Sequence, residues 1–259
     1  MKTILGKLEF SIEREIVIRA PRATVFRFFT DSERWARWWG AGSTIEGRVG
    51  GPIKIVYPGG TTALGAVLEL RGEERIVFSY GYEGAEKPIA PGGSRVTIRF
   101  TDDPEGTRLS FLHELADAPT RDHHVQGWRY QLAVFANVVA NEAHAGVAAL
   151  ADRWFAAWNE PDATARRRAF RHLVTEGVAF QDAYSCTRGF EDLEAHVTGA
   201  KVHMPGIRLE RASEPRQCQG TALVDWVAKL PDGKAMAKGA SVFELTPDGR
   251  LSHVVGFWG

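Results

Sequence analysis

The stretch VQGWRYQLAVFANVVANEAHAGVAALADRWFAAWN, residues 125–159, carries two amphipathic stripes in succession. Val125, Trp128, Leu132, Phe135 and Val139 recur at helical spacing. After Asn141–Gly146, a second series starts with Val147, Leu150, Trp154 and Trp158. Each apolar face needs a sheet of its own to cover, and strand-like runs precede the first stripe and follow the second. The chain therefore reads as two α+β domains, residues 1–143 and 144–259.

Length and composition agree with this division. A chain of 259 residues is long for one core and comfortable for two. Apolar residues make up 44% and charged residues 25%, a globular balance. Lysine plus arginine equals aspartate plus glutamate at 32 each, so no net field draws the protein to nucleic acid or to an anionic membrane. No run approaches the roughly 20 apolar residues that a membrane span needs. The opening MKTILGKLEF offers only Ile4–Leu5 before Gly6 and Lys7 interrupt, which falls short of a signal-peptide core, and a cytoplasmic location is expected. Cys186 and Cys218 are too few and too isolated for a disulfide framework or a zinc site.

In the first half a strand over Ser11–Arg19 puts Ile12, Arg14, Ile16 and Ile18 on one face. Pro21 opens a short helix, and Asp31 caps a second one that presents Trp35, Trp38 and Trp39. Strands follow at Ile53–Tyr57, Leu64–Leu70, Ile76–Tyr82, Arg95–Phe100 and Arg108–Leu115, and the long helix of about Arg121–Asn141 lies across the sheet they form. The second half reads as helices Gly146–Asn159 and Ala163–Val174, a short strand Val178–Asp182, a loop Tyr184–Arg188 and a third helix with Phe190, Leu193 and Val197. Strands Ile207–Ser213, Thr221–Leu230, Lys234–Thr246 and Arg250–Trp258 finish it, the last three joined by Pro-Asp-Gly turns at 231–233 and 247–249. Arg166, Arg167, Arg168 and Arg171 read as a solvated helix face.

The segments IVIRAPRATVFRFFTDSERWARWWG, GAVLELRGEERIVFSYGY and HHVQGWRYQLAVFANVV give the first half, about residues 8–142, a resemblance to the START/Bet v-type (SRPBCC) superfamily, and within it to the group related to the activator of the Hsp90 ATPase. That resemblance implies a helix-grip fold, an antiparallel sheet wrapped on a long C-terminal helix, with a hydrophobic ligand held between them. RWFAAWNEPD, VAFQDAYSCTRGFEDLEAHV, VDWVAKLPDGKAMAKGASVFEL and DGRLSHVVGFWG make residues 147–259 similar to the nuclear transport factor 2-like superfamily and its SnoaL-like branch. Here the resemblance implies an α+β cone, three helices in a strongly bent mixed sheet, and a homodimer formed through that sheet.

Function then depends on the two interiors. In the ketosteroid isomerases of the second superfamily an aspartate at the end of the first short strand moves a proton, and Asp182 in AFQDAYS matches it. Trp154 falls where that family places a tyrosine and Ser241 where it places a protonated acid, so steroid isomerisation is not expected. A lone carboxylate in an aromatic cavity still leaves cyclase, isomerase or hydrolase chemistry open, with Asp182 as general base. A strand-terminal aspartate that bonds backbone amides is the competing reading. Candidate ligand contacts are Trp154, Tyr184, Trp226, Ser241 and Phe257 in the C-terminal cavity. In the N-terminal cavity they are Arg14, Trp38, Tyr80, Tyr82, His113 and Trp128. His113 shares parity with Leu109, Phe111 and Leu115, which suits a satisfied core histidine or a ligand contact. His196 and His203 are placed at the surface, and His123-His124, with no HExxH and no third ligand, gives no metal site. No phosphate-cradling, dinucleotide or nucleophile-elbow motif occurs, and no cofactor is expected. The sequence points to a protein that binds a small polyketide-, terpenoid- or lipid-like molecule. The alternatives are a C-terminal cyclase, isomerase or hydrolase and a chaperone-associated interaction protein acting through the first domain.

Overall fold

A computed structural model describes residues 7–84 and 87–259, so Ile4–Leu5 lie outside the described residues. The chain divides into two compact units, one ending at Ala140 and the other Asn141–Gly259. Among the described residues no single helix is long and apolar enough to cross a membrane.

In the first unit, strand β1 (Phe10–Ile18) leads into α1 (Arg22–Arg27) and α2 (Ser32–Trp39). Strands β2 (Thr44–Ile45), β3 (Pro52–Val56), β4 (Thr62–Arg71), β5 (Arg75–Tyr82), β6 (Ser94–Asp103) and β7 (Gly106–Leu115) follow, and α3 (Ala118–Ala143) closes the unit. The seven strands form one antiparallel sheet in the order β1-β7-β6-β5-β4-β3-β2. Asp31 caps α2 as its sequence suggests, accepting from the backbone N–H of Glu33 (2.9 Å) and Arg34 (3.0 Å). The bond from Arg34 is the main reason its carboxyl is held below the usual range. The core is unusually aromatic. Phe29 lies 5.1 Å from Phe135 and 5.7 Å from Trp38, ring centre to ring centre, and Trp35 is wholly buried beside them.

The helix stripe is displaced from the expected one. Thr120, His124 and Trp128 are buried on α3, whereas Val125 is only half-buried. A buried histidine one residue before the first apolar position carries the stripe toward the start of the helix. Gly40, at φ +147°, ends α2 where a Cβ would lie 2.3 Å from the Val56 carbonyl oxygen. Glycine alone therefore permits the Trp39 end of α2 to meet the Tyr57 end of β3, and the two rings sit edge-on at 5.7 Å.

The second unit comprises α4 (Val147–Asn159), α5 (Ala163–Leu173), β8 (Val174–Gln181), β9 (Cys186–Arg188), α6 (Phe190–His203), β10 (Arg208–Arg211), β11 (Arg216–Cys218), β12 (Thr221–Lys229), β13 (Ala235–Leu245) and β14 (Leu251–Trp258). Its mixed sheet runs β10-β12-β13-β14-β8-β9, with β14 and β8 parallel and β11 added along β12. Trp154, Phe170, Phe180, Phe190 and Phe243 fill the space between helices and sheet. Three expectations change here. The Tyr184–Arg188 loop contains strand β9, and the run 207–213 is shorter, with β11 following it separately. Arg166 is not on a solvated face: it is 2% exposed and bonds the Glu160 carbonyl (3.2 Å), Thr198 (2.8 Å) and the Glu194 carboxylate (3.4 Å). Arg167 and Arg171 both pair with Glu191.

Candidate functional site

Between α3, the end of α2 and strands β3 and β5 lies a cleft of about 210 Å³. Side-chain alternation on β5 directs Tyr80 and Tyr82 to the same face, and Tyr57 follows β3. Helical spacing adds His124, Gly127, Trp128 and Gln131 from α3, and Trp39 forms another wall.

Two hydrogen-bonded systems organise this cleft. In the first, the Tyr57 and Tyr80 hydroxyls meet at 2.8 Å, and burial raises both phenols well above their usual pKa. The Tyr82 hydroxyl meets His124 Nε2 at 3.0 Å, while His124 Nδ1 is 2.7 Å from the Thr120 carbonyl oxygen. A carbonyl only accepts, so Nδ1 carries the proton and Nε2 of the neutral ring accepts from Tyr82. Burial lowers the pKa of His124, the Thr120 bond opposes this, and His123 adds to the lowering. Tyr82 therefore donates to His124, and its oxygen, beside the Tyr57 and Tyr80 hydroxyls, keeps acceptor capacity on the cleft wall. The Tyr57–Tyr80 pair shares one proton, and the Tyr82 oxygen, which neighbours both phenols, is an acceptor for the other.

The second system lies behind the first. The Trp128 indole donates to His113 Nδ1 at 2.8 Å, which leaves the ring proton on Nε2 to face Ser94 Oγ at 2.8 Å. Ser94 Oγ donates in turn to the Tyr80 carbonyl at 2.8 Å. Burial pushes the pKa of His113 down to about 3, with His124 acting in the same direction. Both nitrogens of His113 are used and the residue is fully buried, so it fixes Trp128 and Tyr80 from behind and has no atom left for a ligand.

Of the expected N-terminal contacts, Tyr80, Tyr82 and Trp128 line the cleft. Trp38 packs into the aromatic core against Phe135 at 4.8 Å, and it is Trp39 that faces the cleft. Arg14 sits on β1 opposite Phe111 and is not part of the cleft lining. Tyr57, His124 and Gln131 also line the cleft, beyond the contacts expected from sequence. The spacing of His124, Trp128 and Gln131 at i, i+4 and i+7 carried the signal, masked by the apolar series that begins one residue later.

The C-terminal unit holds a smaller cleft of about 70 Å³, walled by Trp154, Trp158, Phe180, Trp226 and Trp258. Asp182 lies on its wall. One carboxylate oxygen accepts from the Tyr184 backbone N–H at 2.8 Å and the other from the Trp258 indole at 3.2 Å, while the Asp182 N–H donates to the Ser185 carbonyl at 2.9 Å. This is the turn-forming arrangement of a strand-terminal aspartate. Trp154 and Trp226 line the cleft as expected; Tyr184 is 77% exposed and stacks edge-on against the outside of Trp258. Ser241 is buried on β13 opposite Gly256, outside the lining. Phe257 is 56% exposed, and Trp258 takes the inward place. The cause is a β-bulge: Glu244 faces His253 while Leu245 faces Leu251, so one residue is skipped and the inward parity passes from Leu251 to Val254, Gly256 and Trp258. His196 is half-buried, its ring against Phe180 at 5.3 Å; burial lowers its pKa and Asp182 partly opposes this.

A long helix closing on a seven-stranded antiparallel sheet, with a cleft between them, defines a helix-grip domain. Residues 19–140 match the family model described as activator of Hsp90 ATPase homolog 1-like protein. No curated protein matches the chain significantly. Among solved structures, a SnoaL-like family protein from Agrobacterium tumefaciens is 29% identical, over 46% of this chain and 98% of its own, with a TM-score of 0.42. The Aha1 dimer from Colwellia psychrerythraea is 19% identical over 48% of this chain and 91% of its own, with a TM-score of 0.42.

Proposed function

We propose that the N-terminal unit binds a compact, ring-containing hydrophobic molecule of polyketide-like character, with a polar edge. The observation that carries this reading is the cleft of about 210 Å³ with aromatic walls and phenolic tips. It exceeds the roughly 150 Å³ cavity that admits benzene in an otherwise packed protein. Trp39, Trp128 and Tyr57 supply flat apolar surface, and the clustered hydroxyls of Tyr57, Tyr80 and Tyr82 supply a polar edge to orient a hydroxyl or carbonyl group. The limited volume favours fused rings over a long acyl chain. Catalysis by Asp182 has less support, because both its carboxylate oxygens already accept hydrogen bonds. Native mass spectrometry of freshly purified protein tests the reading: a co-purifying small molecule released on denaturation is expected. A protein that carries nothing, and that does not take up 2-naphthol when offered it, would count against it.

A further inference from the structure

Lys201 stands in the last turn of α6 on the wall of the C-terminal cleft, among Trp158, Met204, Trp226 and Trp258. A cation at a helix C-terminus is favourable, and a lysine stem lies readily along apolar rings. Neither effect supplies the ammonium with a counter-ion. Among the described residues no carboxylate comes within 4.0 Å of it. Three other cations of the unit have carboxylate partners: Arg166 with Glu194 at 3.4 Å, Arg211 with Asp152 at 2.8 Å, Lys229 with Glu210 at 2.6 Å. Asp182, the carboxylate on this wall, is held by Tyr184 and Trp258. The Glu160 side chain, which acts on Lys201 from a distance, accepts from the Asp162 N–H. Desolvation lowers the lysine pKa first, Arg166 and Arg208 add to it by repulsion, and Glu160 works the other way. A partly desolvated ammonium with two guanidinium neighbours gains from an incoming anion.

We propose that the C-terminal cleft binds a short-chain monocarboxylate, its alkyl tail against Trp158, Trp226 and Trp258 and its carboxylate on Lys201. The cleft's size limits the tail: about 70 Å³ is less than half of the roughly 150 Å³ cavity that admits benzene, so it suits an alkyl chain of a few carbons with the carboxylate at the wall. Asp182 on the same wall limits the charge, because its carboxylate opposes a dianion more strongly than a monoanion. The site is separate from the tyrosine-lined cleft and does not depend on what that cleft holds.

Sodium butanoate and neutral butanamide are the probes, titrated into the full chain with tryptophan fluorescence as the signal. Wild type should bind butanoate at least about ten-fold more tightly than butanamide, as one charge-assisted hydrogen bond provides. Lys201→Met keeps the apolar stem and should reduce the preference to within about two-fold, with Lys201→Gln giving the same result if the methionine variant folds poorly. Equal binding of the two probes, a preference that survives in Lys201→Met, or no saturation by about 100 mM butanoate would overturn the proposal. So would butanoate binding that is lost in Tyr82→Phe and kept in Lys201→Met, since that places the acid in the other unit.

Discussion

Replacing Gly127 separates stability from binding in the N-terminal cleft. Gly127 lies within the 26-residue helix α3 and lines the cleft, and a Cβ built there meets nothing within 4 Å. No close approach or positive φ requires glycine at this position, yet glycine inside a helix costs about 1 kcal/mol relative to alanine, and leucine is nearly as favourable as alanine. Gly127→Leu should therefore stabilise the unit by about 0.6–1 kcal/mol, a rise of roughly 2–6 °C in Tm. The new side chain enters the space a ligand would use, so affinity for 2-naphthol should fall by about ten-fold or more. Thermal denaturation and a fluorescence titration on the same samples read both effects. A variant that is more stable and still binds as wild type does would show that the ligand does not use this cleft. A destabilised variant would show that the space beside Gly127 is not open.

Three further outcomes follow from the hydrogen-bond systems. His113 has a folded pKa of about 3 against about 6.5 for a free histidine, so its neutral form contributes its full stability above pH 6.5 and loses it as pH falls toward 3. At pH 5 the loss is about 2 kcal/mol, and His113→Gln, which still accepts from Trp128 and donates to Ser94, should remove that share of the acid sensitivity in urea melts; an unchanged pH profile would refute it. Tyr82→Phe removes the acceptor in the cleft and should weaken 2-naphthol by about three- to ten-fold while leaving naphthalene unaffected, as competitive titration would show. Asp182→Asn turns one oxygen that accepts from Tyr184 or Trp258 into a donor facing a donor, and should cost the C-terminal unit about 1–2 kcal/mol in denaturation without changing 2-naphthol binding.

The two-unit plan was legible in the sequence because two helical stripes with a break between them cannot share one sheet, and the Asp31 cap and the hairpin turns at Gly233 and Gly249 follow from local chemistry. The sites were legible only in part. Trp35, Trp38 and Trp39 are all buried on an eight-residue helix, and periodicity cannot say that Trp39 is the one facing a cleft. His124 was masked by its own polarity, since its burial depends on partners from β5 and from the preceding turn of α3. Phe257 and Trp258 exchanged places because a single skipped residue near the start of β14 reverses every side chain beyond it. Arg166 looked solvated because its partners Glu194 and Thr198 lie on another helix.

The central claim is that the tyrosine-lined cleft accepts a small ring compound. The eight tryptophans of the chain give eight indole N–H resonances, which makes a 2-naphthol titration of ¹⁵N-labelled protein the most direct measurement. The signals of Trp39 and Trp128 should shift saturably, and those of Trp154, Trp158, Trp226 and Trp258 should stay in place. Shifts confined to the second group, or none at all, would contradict the claim.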